Sequence, residues 1–226
     1  MRFILQYTVA LFTMLSMKSP SQEASFNVTT KGVQTFDTED KVGRNQVVFV
    51  SKAPFEDIFG AATDVRGKIS FDPANIQKTI KGEIIVNAKS MKTGLKQRDQ
   101  DMLGERWLDV GKYQTIRFKL KELSDTKLIR ENHIEGTATG DFTMHGVTRT
   151  ISVPISISYF EESPETIKRA PGDLLAVRSK FSVLFADYHV EGIKNLLRAR
   201  VSKSIDLDIN IFATNNASAD DDTSER

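Results

Sequence analysis

The sequence predicts an all-β fold in which about eight antiparallel strands close on themselves. Two observations carry this. Segment after segment alternates apolar and polar residues with a period of two, the mark of a strand with one dry face and one wet face. No series of amphipathic helices is available to cover a flat sheet, so the dry faces must cover one another in a sandwich or a barrel. Length and composition agree, since 226 residues with 39% hydrophobic and 27% charged side chains suit one globular domain with a real core.

The strands follow in order. Val47, Val48, Phe49 and Val50 lie in a first strand over residues 45–51, which continues towards Ile58. Val65, Gly67, Ile69 and Phe71 alternate with Arg66, Lys68 and Ser70, and Ile80, Gly82, Ile84 and Val86 with Lys81 and Glu83. Ile116, Phe118 and Leu120 alternate with Arg117, Lys119 and Lys121. Ile134, Gly136, Ala138, Gly140 and Phe142 do so with Glu135, Thr137, Thr139 and Asp141. Val147, Ile151, Val153, Ile155 and Ile157 oppose Thr148, Thr150, Ser152 and Ser156. Val177, Phe181, Val183 and Phe185 oppose Arg178, Lys180 and Ser182, and Val201, Ile205, Leu207, Ile209 and Ile211 oppose Ser202, Ser204, Asp206 and Asp208. Alternation this clean suits antiparallel sheet and argues against the continuous apolar runs of a βαβ fold. The glycines at 67, 82, 136 and 140 fall on the dry face, where they either leave room inside or mark bends.

One segment breaks the period. Over residues 93–104 the β-branched alternation disappears and Leu95, Met102 and Leu103 share a helical face, which predicts a short helix near 94–104. Trp107, the only tryptophan, follows at once and is placed to plug one end of the sheet.

Neither end reads as part of this domain. Arg2 followed by an apolar run to Leu15 outlines a signal peptide over residues 1–21, too short and too diluted to span a bilayer. Residues 215–226 are small and acidic, with Asp220, Asp221 and Asp222 in succession, and predict a disordered tail. The domain proper is then residues 22–214, and the expected location is the periplasm or the cell exterior.

Chemistry is sparse. A net charge of +1 leaves no basic surplus for a phosphate backbone, so nucleic acid is not expected as a partner. The absence of cysteine removes disulfides, thiolate nucleophiles and cysteine metal sites. His133, His145 and His189 are scattered, and no nucleophile elbow, Walker loop or dinucleotide fingerprint occurs. No catalytic residue, metal or cofactor is assigned, and the protein is not expected to be an enzyme. Arg98 beside Asp99 is the one charge pair that looks placed, most simply to fix the loop at a helix end.

Four segments, in this order, resemble the YceI-like family of exported lipocalin-like proteins that bind polyisoprenoids. They are Phe59-Gly60 through Val65-Arg66-Gly67-Lys68-Ile69-Ser70-Phe71-Asp72; Thr93-Gly94 with Gln97-Arg98-Asp99 and Met102-Leu103; Trp107-Leu108-Asp109 with Tyr113 and Ile116-Arg117-Phe118; and Gly140 through Arg149. Phe181-Ser182-Val183 to Asp187-Tyr188 adds a weaker fifth. The resemblance covers about residues 26–213. It departs at Tyr113-Gln114, where the family carries Tyr-Pro, and over 51–58, where relatives have a histidine-containing stretch at the mouth. The resemblance implies an eight-stranded lipocalin-like barrel holding an isoprenoid chain, with the helix near one mouth, and also implies a homodimer.

The resulting expectation is a carrier that sequesters an isoprenoid or other long-chain lipid. The candidate liners are Phe49, Val65, Ile69, Phe71, Ile84, Val86, Phe118, Phe142, Ile151, Val153, Phe181, Val183 and Phe185, with Arg98 and Asp99 fixing the loop at the entrance. Each liner could equally belong to a solid core. A filled barrel acting as a structural or protein-interaction module, with no lipid, is therefore the alternative.

Overall fold

The computed structural model describes residues 24–38, 45–192 and 200–216. The expected leader at 1–21 lies outside the described residues, as does the expected tail beyond Asn216. The strands are β1 (Gln34–Asp37), β2 (Gln46–Lys52), β3 (Asp57–Ala62), β4 (Val65–Phe71), β5 (Lys81–Asn87), β6 (Thr115–Arg130), β7 (His133–Met144), β8 (Val147–Phe160), β9 (Leu174–Leu184) and β10 (Ser204–Thr214). A single helical turn, α1 (Ile76–Thr79), precedes β5, and α2 (Lys96–Leu103) occupies the segment where the alternation fails.

These ten segments make one antiparallel sheet that closes through β1 and β10. They form eight staves, because two staves are interrupted. β1 and β2 run along the same edge of β10, with β1 reaching it at Asp37↔Thr214 and β2 pairing from Asn210↔Gln46 to Asp206↔Val50. β3 and β4 form the neighbouring interrupted stave, β3 on β2 and β4 on β1. Asn45 spans the break: its Nδ2 donates to the Thr38 carbonyl and its Oδ1 accepts from the Phe212 N–H at 2.6 Å. Thr38 in turn donates N–H and hydroxyl to the Gly67 carbonyl.

The dry and wet faces are those the sequence assigns, but the element boundaries differ. The first strand ends at Lys52, turns at 53–56 and returns as β3, a separate strand. β6 extends to Arg130, well past the alternating stretch, because irregularities at Leu120/Glu122 and Ser124/Lys127 shift its register against β7. Gly140 lies opposite the first of these: a Cβ there would sit 2.5 Å from the Lys119 carbonyl oxygen and 2.6 Å from Phe118 Cζ. It therefore marks close approach at a bulge and leaves no internal room. Asn215, expected in the tail, belongs to the fold, since it bonds Asp173 through its own N–H and side chain and reaches Gln34.

The two ends of the barrel differ. At the end carrying the β6–β7 turn, Phe26, Phe36, Phe71 and Tyr159 form an aromatic floor with ring centroids 5.3–6.1 Å apart, all four buried. Residues 24–33 cross this end, held by Phe26 N–H on the Pro73 carbonyl and Asn27 N–H on Glu131. The other end carries α2, the β2–β3 turn and Trp107, whose ring meets Phe185 edge-on at 6.0 Å. Between β8 and β9 pairing stops above Ser156↔Arg178. Pro154 has no N–H to continue the ladder, and its carbonyl instead accepts from Ser179 Oγ at 2.6 Å. No helix among the described residues is long and apolar enough to cross a membrane.

Candidate functional site

An inward side chain in a solid barrel core is fully buried. Here Ile84, Phe118, Leu120, Ile155, Phe181, Leu207 and Ile209 point inward from five different strands, yet each is only partly buried. They keep accessible area because they face a hollow of about 570 Å³ inside the barrel. That volume falls within the range of about 300–1,000 Å³ typical of small-ligand cavities.

The hollow is elongated. Ala138 and Met144 both line it and stand six residues apart on β7, roughly 20 Å along the strand. The floor residue Phe71 lines its closed end, with Ile157 and Leu175 beside it. Polar lining gathers at the opposite end, where Glu56, Thr93, Gln97, Arg98, Asp101 and Arg200 contribute. Along the barrel axis the wall is otherwise mostly aliphatic and aromatic; the exceptions are Ser51 and Ser179, whose hydroxyls already serve Ser202 N–H and the Pro154 carbonyl, and Arg117, whose Nη1 lies 3.5 Å from Glu83 Oε1. Among the described residues no buried side-chain polar atom lacks a partner. Such a chamber offers mainly apolar contact along its length and gathers most of its polar groups at its mouth.

Of the residues the sequence nominates, Phe49, Ile69, Phe71, Ile84, Val86, Arg98, Phe118, Phe142, Val153, Phe181 and Phe185 line the hollow. Val65, Ile151 and Val183 do not; they pack against the surrounding core. Asp99 is also absent from the wall. It is buried beneath the loop before α2, where Oδ1 accepts the Thr93 N–H and hydroxyl, each at 2.7 Å. Burial alone would raise its pKa, but those two bonds, with the nearby charges of Lys92 and Arg98, hold it below the ordinary value. Arg98 points elsewhere, with Nη1 3.8 Å from Glu56 Oε2 on the β2–β3 turn. The two neighbours in sequence thus serve different tasks, one fixing the loop and the other bridging the mouth.

Several liners were not nominated. Leu120, Ile155, Leu207 and Ile209 sit on dry faces already assigned, so alternation carried their signal. Ile58 belongs to β3, whose Gly60-Ala61-Ala62 half lacks an alternating pattern. The histidines serve local structure. His133 Nδ1 meets Ser158 Oγ at 2.8 Å near the floor, while His145 Nδ1 meets the Tyr188 carbonyl at 3.1 Å at the other end. Among the described residues, no three His, Asp or Glu side chains group in a way that could hold a metal ion.

Comparison with known proteins gives a consistent result. A UPF0312 protein of Vibrio parahaemolyticus is 25% identical over 83% of this chain and 97% of its own length. The crystal structure of Burkholderia cenocepacia BcnA superposes with a TM-score of 0.62 at 17% identity, covering 78% of this chain and all of that one. A polyisoprenoid binding domain from Saccharophagus degradans, implicated in plant cell wall breakdown, superposes with a TM-score of 0.58 at 14% identity, covering 81% of this chain and 99% of its own. These structural likenesses establish the shared barrel. The YceI-like domain profile matches residues 40–213, from just after β1 to the penultimate residue of β10, and the chain belongs to that family.

Proposed function

We propose that this protein binds the apolar chain of a long amphiphile, such as a polyisoprenoid, inside the barrel and acts as a non-catalytic carrier or scavenger. The observation that carries the reading is the elongated, mainly apolar hollow, closed by the aromatic floor and with most of its polar lining at its mouth. Each buried methylene contributes about 0.8 kcal/mol, so ten would supply about 8 kcal/mol before ordering costs, with no polar contact needed. The candidate ligand-binding residues are the eleven nominated liners together with Leu120, Ile155, Leu207 and Ile209. The Saccharophagus domain, described as polyisoprenoid binding, supports the ligand class. The leader pattern over 1–21 supports export, and the open chamber counts against the filled interaction module.

The test is extraction of protein purified from its native host, followed by mass spectrometry. A recurrent stoichiometric isoprenoid or other long-chain lipid is the expected result. Repeated recovery of none, with no uptake of added isoprenoid alcohols, would overturn the carrier reading.

A further inference from the structure

Three exposed large apolar side chains lie together beside the mouth of the hollow. Phe55 is 79% exposed, Phe59 59% and Leu95 54%; among the other described residues Val33, Ile167 and Ile129 are comparably exposed but belong to the floor end, and Leu184 ends β9. Phe55 is exposed by construction. Ala53 N–H donates to the Glu56 carbonyl at 3.3 Å, closing a turn whose second residue, Pro54, presets the backbone and holds Phe55 at the tip. Phe59 points outward from β3, and the antiparallel bridge Ala61↔Lys92 carries the following segment, Thr93 to Leu95, alongside it. The three therefore lie along one edge. That edge is continuous with the chamber, because Leu95 itself lines the hollow, as does Glu56, the residue after Phe55.

We propose that this edge docks on a lipid bilayer, with Phe55, Phe59 and Leu95 seated at headgroup depth, so that the mouth opens onto the membrane. The proposal rests on the lipid-carrier reading and says where the cargo is exchanged. Exposed apolar patches of this kind mark contact surfaces, and aromatic and leucine side chains flanked by lysines suit the bilayer interface. Lys92 and Lys96 are exposed on either side of Leu95 and can reach headgroup phosphates. A greasy chain that left a membrane through water would expose every methylene on the way, and a docked mouth removes that barrier. Glu56 and Asp57 follow Phe55 at the β2–β3 turn, so local charge is mixed and apolar insertion is the main attraction.

The test compares the protein with F55S/F59S, neither residue being part of the chamber wall. Flotation with phosphatidylcholine vesicles reads docking, and uptake of the apolar dye N-phenyl-naphthylamine reads the chamber. The expected result is vesicle binding that falls about tenfold or more in the variant, with dye affinity and thermal melting unchanged. Equal flotation of the two proteins, or no flotation of either while dye still binds, overturns the docking edge. A dimer in sedimentation equilibrium that the variant dissolves, with no flotation, also overturns it by assigning the edge to a second copy of the chain. Phenylalanine-dependent flotation without dye uptake in either protein supports the edge and counts against the carrier reading instead.

Discussion

Arg98 Nη1 stands 3.8 Å from Glu56 Oε2, so α2 and the β2–β3 turn are tied together across the mouth of the chamber. Both side chains keep substantial exposure, and a pair of this kind contributes at most about 1 kcal/mol to stability. Its effect should appear in exchange. Arg98→Ala is expected to move the urea midpoint little and to speed dye release several-fold in stopped-flow displacement. An unchanged release rate would mean that the bridge does not restrict the mouth.

A hollow accepts added volume where a packed core does not. Ile209 lines the chamber and is only partly buried, so Ile209→Trp has space to enter. Its stability change should stay within about 1 kcal/mol, below the 1–3 kcal/mol usual for overpacking. Dye or lipid affinity should fall at least tenfold, because the new ring occupies the cargo's place. Calorimetric titration and chemical denaturation on the same variant check both halves.

Floor and wall should respond differently to the same truncation. Phe36 has no exposed surface and stacks on Phe71 at 5.3 Å, while Phe181 faces the chamber and keeps accessible area. Phe36→Ala is expected to cost about 3–5 kcal/mol as a cavity-forming change. Phe181→Ala should cost less than half as much, since less apolar surface returns to water. Equal losses would contradict the contrast between a solid floor and an open wall.

Glu161 gives the floor its own acid sensitivity. Its Oε1 accepts the N–H and hydroxyl of both Thr29 and Thr30, at 2.6–2.9 Å, which pins residues 24–33 over the lower end. Desolvation would raise its pKa, but these four bonds outweigh it and bring the group from 4.5 down to about 2. With the folded value below the unfolded one, the stabilisation is complete above about pH 4.5 and is lost as pH falls towards 2. Glu161→Gln should destabilise by about 1–2 kcal/mol near neutral pH. It should also flatten the stability profile between those two pH values, as followed by thermal melting across the range.

Alternation made the faces legible but not the heights. A period of two says that Val65, Ile151 and Val183 turn inward, as Phe118 and Leu207 do. It says nothing of position along the barrel axis, which decides whether an inward side chain meets the chamber or other core atoms. β1 was missed because its four residues cannot show a period, and the far half of β6 because bulges reset its phase. The separate tasks of Arg98 and Asp99 were hidden for another reason. The Glu56 partner of Arg98 is set by how the β2–β3 turn meets α2 in space, and the Thr93 partner of Asp99 by how the loop before α2 folds back over the helix.

The stitch between Asn45 and the Phe212 amide joins segments separated by 167 positions in the chain. Neighbouring hairpins from β4 to β10 can form from short-range partners, and the first stave can pair β3 and β4, but its other edge stays unpaired until the last strand exists. Ring closure is thus a late, high-contact-order event. During ribosomal synthesis the nascent barrel remains an open sheet with exposed apolar edges, the interval in which it most needs a chaperone.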